Sequence, residues 1–147
     1  MFAQHILSEQ VALVTGGSRG IGSAIAMKLG GMGAKVGVNY NSSRAEAEAV
    51  SRMIIEAGGD AITVQGDVSS DSEASDVVAK INDHWGQVDI LINNAGITRD
   101  KLLMRMSLED WENVIDVDLK SAFLCTKYVM PQLIKRRNGR IINSSSV

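Results

Sequence analysis

Five short apolar segments alternate with longer segments of helical periodicity along this chain of 147 residues. The apolar segments, such as "VALV" and "ILIN", lack a polar residue at every second position, which is typical of strands buried on both faces of a sheet. Alternating strands and helices form βαβ units, whose crossovers are right-handed. The sequence therefore predicts an α/β fold, a doubly wound parallel sheet of about five strands with helices on both faces.

Glycine and serine residues set the expected bounds of these segments. A glycine cluster at residues 30–33 ends the first helix, Gly58 ends the second, and Ser42 or Ser43 is expected to cap the second. The last helical stretch is expected to form two helices or one long bent helix. The predicted strands cover residues 10–15, 34–40, 60–67, 87–96 with the outgoing loop, and 139–145, and the predicted helices begin at Gly20 and cover residues 44–57, 69–85, 107–119 and 121–137.

Size and composition limit the class of protein. A chain of this length with 45% apolar residues is expected to form a single domain around one core. A net charge of −2, with both signs interspersed, favours neither nucleic acid nor a membrane surface as partner. No apolar run approaches the ~18 residues of a membrane span, and no signal peptide is recognisable. The chain has a single cysteine, Cys125, which cannot form an internal disulfide, so a reducing compartment, the cytoplasm, is expected. Neither His5 nor His84 has a second ligand at the spacing of a metal site, so no metal site is expected.

The segment "TGGSRGIG", residues 15–22, joins the first strand to the first helix. Gly16 permits a tight turn, Gly20 allows the backbone to approach a diphosphate, and Gly22 allows the helix to pack closely on the strand. The helix that follows offers free N–H groups and a partial positive charge to a phosphate. A purely structural turn is the alternative, but its place inside a βαβ unit favours a Rossmann-type, dinucleotide-binding domain.

Three further motifs follow the later strands: "GD" at residues 66–67, "NNAG" at residues 93–96 and "GRIINSSSV" at residues 139–147. With the Gly-x3-Gly-x-Gly turn they stand in the order found in the short-chain dehydrogenase/reductase family, which the chain resembles over almost its whole length. The resemblance implies that the following residues bind a nicotinamide cofactor: Gly16, Ser18, Arg19, Gly20, Ile21, Gly22, Asn41, Asp67, Val68, Asn94, Ala95 and Gly96.

The end of the second strand bears on which nicotinamide cofactor binds. A protein selective for NAD carries Asp or Glu there, about 20 residues beyond the glycine turn, to bind the ribose 2′-hydroxyl. This chain has "NYNSSR" instead, without a carboxylate that would repel the 2′-phosphate of NADP. Arg19 offers a planar donor group suited to phosphate, as in the family's NADP-dependent reductases, and Arg44 is a second candidate. The sequence therefore predicts NADP(H).

Hydride transfer to a ketone requires hydrogen-bond donors and a proton source at the carbonyl oxygen. The resemblance implies that Ser146, in the serine cluster after the fifth strand, orients the substrate carbonyl. It places Asp118 where most relatives carry the Asn of a proton relay. A structural role, in which Asp118 holds backbone near the fourth strand, is an equal alternative. Ser144 and Ser145 are expected to serve turn chemistry or helix capping.

The family completes its active site with a Tyr-x3-Lys motif beyond the serine. Neither tyrosine of this chain, Tyr40 nor Tyr128, has a lysine four residues further on. We therefore expect the chain to be C-terminally incomplete, truncated after the fifth strand. A non-catalytic nucleotide-binding module is the alternative if the protein ends at Val147.

The segment "GITRDKLLMRMSLEDW", residues 96–111, is most similar to bacterial 3-oxoacyl-(acyl carrier protein) reductases. This resemblance implies NADPH-dependent reduction of a 3-oxoacyl thioester in fatty acid biosynthesis, with acyl carrier protein or CoA as the carrier and a homotetramer as the assembly. Acetoacetyl-CoA or another carbonyl compound is the alternative substrate. Arg137 matches an arginine that docks the carrier protein, or it is simply a solvated helix end. Leu102, Leu103, Met104 and Met106 could line an entrance for the acyl chain, but they are expected to pack in a core or an interface.

Overall fold

The computed structural model describes residues 5–145. One sheet contains five parallel strands: β1 (Val11–Val14), β2 (Lys35–Tyr40), β3 (Asp60–Gln65), β4 (Ile90–Asn93) and β5 (Arg140–Asn143). Their order is β3-β2-β1-β4-β5, so the chain runs outward from β1 to one edge and then returns to the other side of β1. The predicted α/β, doubly wound, Rossmann-type parallel sheet is confirmed.

Helices connect the strands on both faces of the sheet: α1 (Gly20–Gly31), α2 (Arg44–Glu56), α3 (Asp71–Trp85), α4 (Leu108–Ile115) and α5 (Ser121–Arg136). A single π-helical turn, Asp116–Lys120, joins α4 directly to α5. The last helical stretch is therefore continuous, and the alternative of two separate helices is wrong. A short 3-10 turn, Leu103–Arg105, precedes α4.

Most predicted bounds agree with the structure to within a few residues. The expected side-chain cap of α2 is wrong, because Ser43 occupies the N-cap position but its hydroxyl makes no capping hydrogen bond. The third strand ends at Gln65 rather than at residue 67. Its neighbour Gly66 still donates a backbone hydrogen bond to the Tyr40 carbonyl, at 2.9 Å. Helix α3 begins at Asp71, two residues later than expected, with Ser70 at its N-cap.

The sheet separates two apolar cores, which is why its central strand has no polar face. On β1, Val11 and Leu13 face the core beneath α3 and α5, whereas Ala12 and Val14 face the core beneath α1 and α2. All four side chains are at most 1% exposed. Burial on both faces explains the continuous apolar segments in the sequence. Within residues 5–145, none of the helices has the length and apolar character of a membrane span.

The loop between β4 and α4 exposes apolar side chains. Leu103 and Met104 are 85% and 89% exposed, so the expected core packing is wrong for them, and the interface alternative stays a prediction. The end of the loop is held to α4 by an ion pair between Lys101 and Asp110, at 2.6 Å. Ser107 and Asp110 form a capping box at the start of the helix. Hydrogen bonds from Lys101 and Ser107 lower the pKa of Asp110 to about 2.

A buried carboxylate with a half-buried arginine partner stabilises the end of the sheet opposite to the strand exits. Asp89 is 3% exposed and accepts hydrogen bonds from the Val11 N–H and the Gln87 side chain, both at 2.8 Å. It also forms an ion pair with Arg136 of α5, which donates a further hydrogen bond to the Val88 carbonyl at 2.7 Å. These contacts tie α5 to β1 and β4.

Replacement of Arg136 by methionine keeps the bulk of the side chain but removes the cation beside Asp89. We expect the free energy of unfolding to fall by about 3 kcal/mol, because a buried carboxylate without its partner is costly. Urea denaturation measures the change. The control is Arg44→Met, which breaks only the exposed ion pair with Glu48 and should cost at most about 0.5 kcal/mol. Equally small losses in the two variants would contradict this account.

Candidate functional site

A cleft of about 380 Å³ opens at the carboxyl ends of β1, β2, β3 and β4. Doubly wound sheets bind ligands at this place, where the strand order reverses. The structure brings almost all the predicted cofactor-binding residues together here, and their role in binding stays a prediction. Gly20 is not part of the cleft wall but lies in the same turn, and the following residues line the cleft: Gly16, Ser18, Arg19, Ile21, Gly22, Asn41, Asp67, Val68, Asn94, Ala95 and Gly96.

The glycine turn has the backbone that the sequence predicts. Gly16 and Gly20 adopt φ angles of +59° and +57°, in the left-handed region that favours glycine. A Cβ on Gly22 would lie 2.2 Å from the Gly16 carbonyl oxygen, so a larger residue cannot pack there. Among residues 5–145, no atom beyond its chain neighbours and the backbone of α1 lies within 4 Å of the place where a Cβ would stand on Gly20. The backbone at Gly20 therefore faces open space.

The N-terminus of α1 is open to an anion. Arg19 occupies its N-cap position, makes no side-chain capping bond, and is followed by no acidic residue in the first turn. The first N–H groups of a helix lack intrahelical acceptors, and they carry a partial positive charge. A phosphate group satisfies both features. The residues present therefore fit the diphosphate of a dinucleotide.

Thr15 joins the glycine turn to the loop after β4. Its hydroxyl accepts hydrogen bonds from the backbone N–H groups of Asn94 and Ala95, at 2.9 and 3.0 Å, and donates to the Ile92 carbonyl at 3.3 Å. The Asn94 side chain returns two bonds, to the carbonyls of Thr15 and Gly16, both at 3.1 Å. The two walls of the cleft are thereby held together.

Asn39 is a supporting residue that was absent from the predicted set. It lies on β2, is 2% exposed, and donates hydrogen bonds to the carbonyls of Val64 and Gly66, both at 3.1 Å. Its side-chain oxygen accepts from the Gly16 N–H at 3.4 Å, and its carbonyl accepts from the Gly17 N–H at 2.8 Å. One polar residue inside an otherwise apolar strand was the signal in the sequence that pointed to such a role.

The exit of β2 lines the same cleft as Arg19. Asn41, Ser42 and Ser43 line the cleft there without a carboxylate. Arg44 does not line it, and its guanidinium is paired with Glu48 at 2.8 Å on the exposed side of α2. Of the two arginines predicted for a 2′-phosphate, only Arg19 stands at the cleft.

Asp67 lines the cleft after β3, the strand next to β2. Its Oδ1 atom accepts hydrogen bonds from the Ser69 backbone N–H at 2.9 Å and from the Ser69 hydroxyl at 2.6 Å. The Asp67 N–H donates to the Glu73 carboxylate at 2.8 Å. These bonds fix the loop in which Val68 is buried, so the rim of the cleft is ordered by local contacts.

Asp118 sits on the π-helical turn beside the cleft. Its carboxylate accepts a hydrogen bond from the Ile97 N–H at 2.8 Å, and Ile97 and its own neighbour Val117 both line the cleft. This contact is the one expected for the structural alternative, in which Asp118 holds backbone after β4. Its predicted catalytic role stays a prediction. The second predicted catalytic residue, Ser146, lies outside the described residues.

The exits of β4 and β5 are joined by asparagines. The side-chain NH₂ of Asn93, which is 6% exposed, donates to the Asn143 side-chain oxygen at 2.9 Å and to the Thr126 hydroxyl at 3.3 Å. The Ser144 N–H donates to the Asn93 carbonyl at 2.9 Å, so the parallel pairing continues past β5. The approach to the serine cluster is therefore held against β4 and α5.

Two other candidates lie away from the cleft. Cys125 is buried in α5, and burial raises the pKa of its thiol to about 12, so the thiol stays protonated at neutral pH. Among residues 5–145, no group of three or more His, Cys, Asp or Glu side chains is arranged to hold a metal ion. Neither observation adds a reactive group to the cleft.

The sequence profile of the family described as short chain dehydrogenase matches residues 10–147. The chain belongs to the short-chain dehydrogenase family. Among solved structures, the chain is similar to a metagenomic short-chain oxidoreductase in complex with NADP, with 39% identity and a TM-score of 0.91 over 96% of this chain and 64% of that one. A short chain dehydrogenase from Mycobacterium avium gives 32% identity and a TM-score of 0.89 over 97% of this chain and 55% of that one.

Curated relatives within the short-chain dehydrogenase family carry a more specific name. The chain is 52% identical to the 3-oxoacyl-[acyl-carrier-protein] reductase of Synechocystis sp., over 96% of this chain and 57% of the relative. It is 45% identical to the reductase of the same name from Staphylococcus epidermidis, over 92% of this chain and 56% of the relative. The chain spans about half the length of the curated relatives it matches.

Replacement of Thr15 by valine removes the hydroxyl but keeps the branched shape. Two backbone N–H groups, of Asn94 and Ala95, then lose their acceptor, and we expect the free energy of unfolding to fall by about 2 kcal/mol. Denaturant titration measures the loss. Thr63→Val, on β3, is the matched control, since within residues 5–145 the Thr63 hydroxyl makes no hydrogen bond. This control should change stability by less than about 0.5 kcal/mol. Equal changes would refute the role of Thr15.

Proposed function

We propose that the protein to which this chain belongs reduces a 3-oxoacyl thioester to the 3-hydroxyacyl thioester with NADPH, in fatty acid biosynthesis. In this proposal residues 1–147 form its dinucleotide-binding part. The observation that carries the proposal is the cleft at the reversal of strand order, which joins an uncapped helix N-terminus to a carboxylate-free β2 exit. The names of the relatives support the choice of substrate.

Cofactor binding is assigned to the residues that face the cleft. The N–H groups at the start of α1 would hold the diphosphate, and the open backbone at Gly20 would allow its close approach. As the family resemblance implies, Asp67 would contact the adenine, and Val68, Asn94, Ala95 and Gly96, which line the same cleft, would bind other parts of the cofactor. The cofactor, when bound, supplies the hydride.

NADPH is preferred over NADH in this proposal because of the charge balance at the β2 exit. Arg19 brings a planar cation to the cleft, and Asn41 and Ser42 bring neutral polar groups. At the β2 exit, a 2′-phosphate would accept hydrogen bonds from these side chains, and the exit itself carries no carboxylate that would repel it. The solved relative that contains NADP supports this choice.

The reaction itself would need groups at the exits of β4 and β5. We assign the orientation of the substrate carbonyl to Ser146, as the family resemblance implies. Asp118 would act through Ile97, because its carboxylate accepts the Ile97 N–H and so holds a residue of the cleft wall. A catalytic part for Asp118 itself is the second possibility. It requires a water or a protonated carboxyl, because an ionised carboxylate cannot donate a hydrogen bond.

A carrier protein and further copies of the chain are the proposed partners, in the cytoplasm. Lys135, Arg137 and Arg140 bring positive charge to the end of α5 that suits an acidic carrier protein. Trp111 and Phe123 are 56% and 63% exposed on the continuous α4–α5 helix, which suits burial in a homotetramer.

Replacement of Arg19 by leucine tests the cofactor assignment. We expect the affinity for NADPH to fall at least about tenfold, or ~1.4 kcal/mol, with little change for NADH. Fluorescence titration of the protein with each cofactor measures both affinities. The matched control is Arg44→Leu, which should leave both affinities unchanged because Arg44 does not line the cleft. Equal losses for NADPH and NADH in Arg19→Leu would overturn the assignment to the 2′-phosphate.

Oxidation of NADPH by the full-length protein tests the substrate. We expect a higher kcat/KM with a 3-oxoacyl thioester of acyl carrier protein than with acetoacetyl-CoA, because the basic end of α5 suits an acidic carrier. The saturated acyl thioester, which has no 3-oxo group, is the matched control and should give no oxidation. A preference for acetoacetyl-CoA, or for a carbonyl compound that is not a thioester, would replace the proposed substrate.

A further inference from the structure

The turn between α5 and β5 places Asn138 directly before Gly139. Asn138 is exposed, and the turn borders an open groove on the surface of the molecule. Gly139 has a φ angle of +145°, and a Cβ there would lie 2.4 Å from the Leu133 side chain and 3.0 Å from the Asp89 carbonyl oxygen. Glycine is therefore required after the asparagine. The pair Asn138–Gly139 follows from the packing of the turn.

The backbone N–H of Gly139 differs from those around it. The N–H groups of Arg137 and Asn138 donate to the carbonyls of α5, at 3.1 and 3.3 Å, and the Arg140 N–H donates to the Asp89 carbonyl at 2.8 Å. Over the part of the chain that the structure describes, the Gly139 N–H donates to no acceptor, and the Asn138 side chain makes no hydrogen bond. Both reacting groups of a deamidation are thus available in the folded protein.

We propose that Asn138 is a site of spontaneous deamidation, with water as the co-reactant. The Gly139 backbone nitrogen loses its proton and attacks Cγ of Asn138, which forms an N–Cγ bond and a five-membered succinimide. The Cγ–Nδ2 bond breaks, and the side-chain nitrogen leaves as ammonia with the added proton. Water then opens the ring at either carbonyl, giving aspartate or isoaspartate. No oxidant or reductant takes part, and the cations of Arg137 and Arg140 favour the anionic amide nitrogen.

Other asparagines of the described region lack this combination of features. Asn143 is exposed, but the N–H of the next residue, Ser144, is bonded to the Asn93 carbonyl. Asn94 is followed by Ala95, whose N–H is bonded to Thr15. Asn82 and Asn113 lie inside helices, where the following N–H is bonded. Asn41 is exposed, but its neighbour is Ser42, whose side chain hinders attack. Asn41 is therefore the nearest competitor.

Deamidation would change both charge and chain length at the entry to β5. Aspartate or isoaspartate adds a negative charge within the basic segment "KRRNGR", residues 135–140. Isoaspartate also adds a methylene to the main chain, immediately before the bond from the Arg140 N–H to Asp89. This shift would loosen β5 from β4 and disturb the pair between Asp89 and Arg136. The modified protein should therefore be less stable than the fresh protein.

Incubation of the folded protein in mildly alkaline buffer tests the proposal. Peptide mapping with chymotrypsin, followed by tandem mass spectrometry, separates the peptide with Asn138 from the peptide with Asn41 and distinguishes Asn138 from Asn143 within one peptide. We expect the amide-to-acid mass gain to accumulate at Asn138 at least about tenfold faster than at Asn41, because Gly139 has no side chain to hinder the attack. Isoaspartate, detected by enzymatic methylation, should appear with it. The thermal midpoint of the aged protein should fall.

Two variants make the outcome decisive. Asn138→Gln keeps the amide but requires a less favourable ring, so it should accumulate no isoaspartate at position 138 and keep its thermal midpoint during the same incubation. Asn138→Asp carries the new charge on a normal main chain, and it separates the effect of charge from that of the added methylene. A peptide with Asn138 that remains unchanged, or an equal isoaspartate yield in Asn138→Gln, would overturn the proposal.

Discussion

The hydroxyl of Thr15 connects the two halves of the sheet at the point where the strand order reverses. It accepts hydrogen bonds from the backbone N–H groups of Asn94 and Ala95. The side-chain amide of Asn94 in turn donates hydrogen bonds to the carbonyls of Thr15 and Gly16 in the glycine turn. This exchange sets the distance between the β1 exit and the β4 exit, and with it the width of the cleft. Helix α1 follows the β1 exit, and Ile97, which lines the cleft and donates its N–H to Asp118, follows the β4 exit.

Polar groups secure both ends of a sheet whose middle is apolar. At the exits, Asn39 links β2, β3 and the glycine turn. At the other end, Asp89 holds β1, β4 and α5 through the Val11 N–H and Arg136. A buried polar group is costly unless its hydrogen bonds are made, so each of these residues favours one arrangement of its neighbours. The apolar strands alone would permit more than one.

Two arginines and two asparagines of this chain differ in role because their surroundings in the fold differ. Arg19 and Arg44 are equally suited to a phosphate by their chemistry, yet only Arg19 lines the cleft, whereas Arg44 lies on the exposed side of α2, where it pairs with Glu48. Exposure also separates the asparagines: Asn39 is buried and supports the site, whereas Asn138 is exposed and borders an N–H without an acceptor in the described region. Position in the fold, rather than residue type, decides the role.

The sequence by itself determined the strands, the helices and the glycines that need a left-handed or crowded backbone, because these depend on apolar periodicity and local sterics. It also indicated that the residues after the strands lie close together, because the carboxyl ends of parallel strands meet at one edge of the sheet. Only the tertiary structure decided the partners of Thr15 and Asn39, the π-helical turn that brings Asp118 to Ile97, and the exposure of Leu103. These contacts join residues far apart in the chain, and their geometry exists only once the sheet has formed.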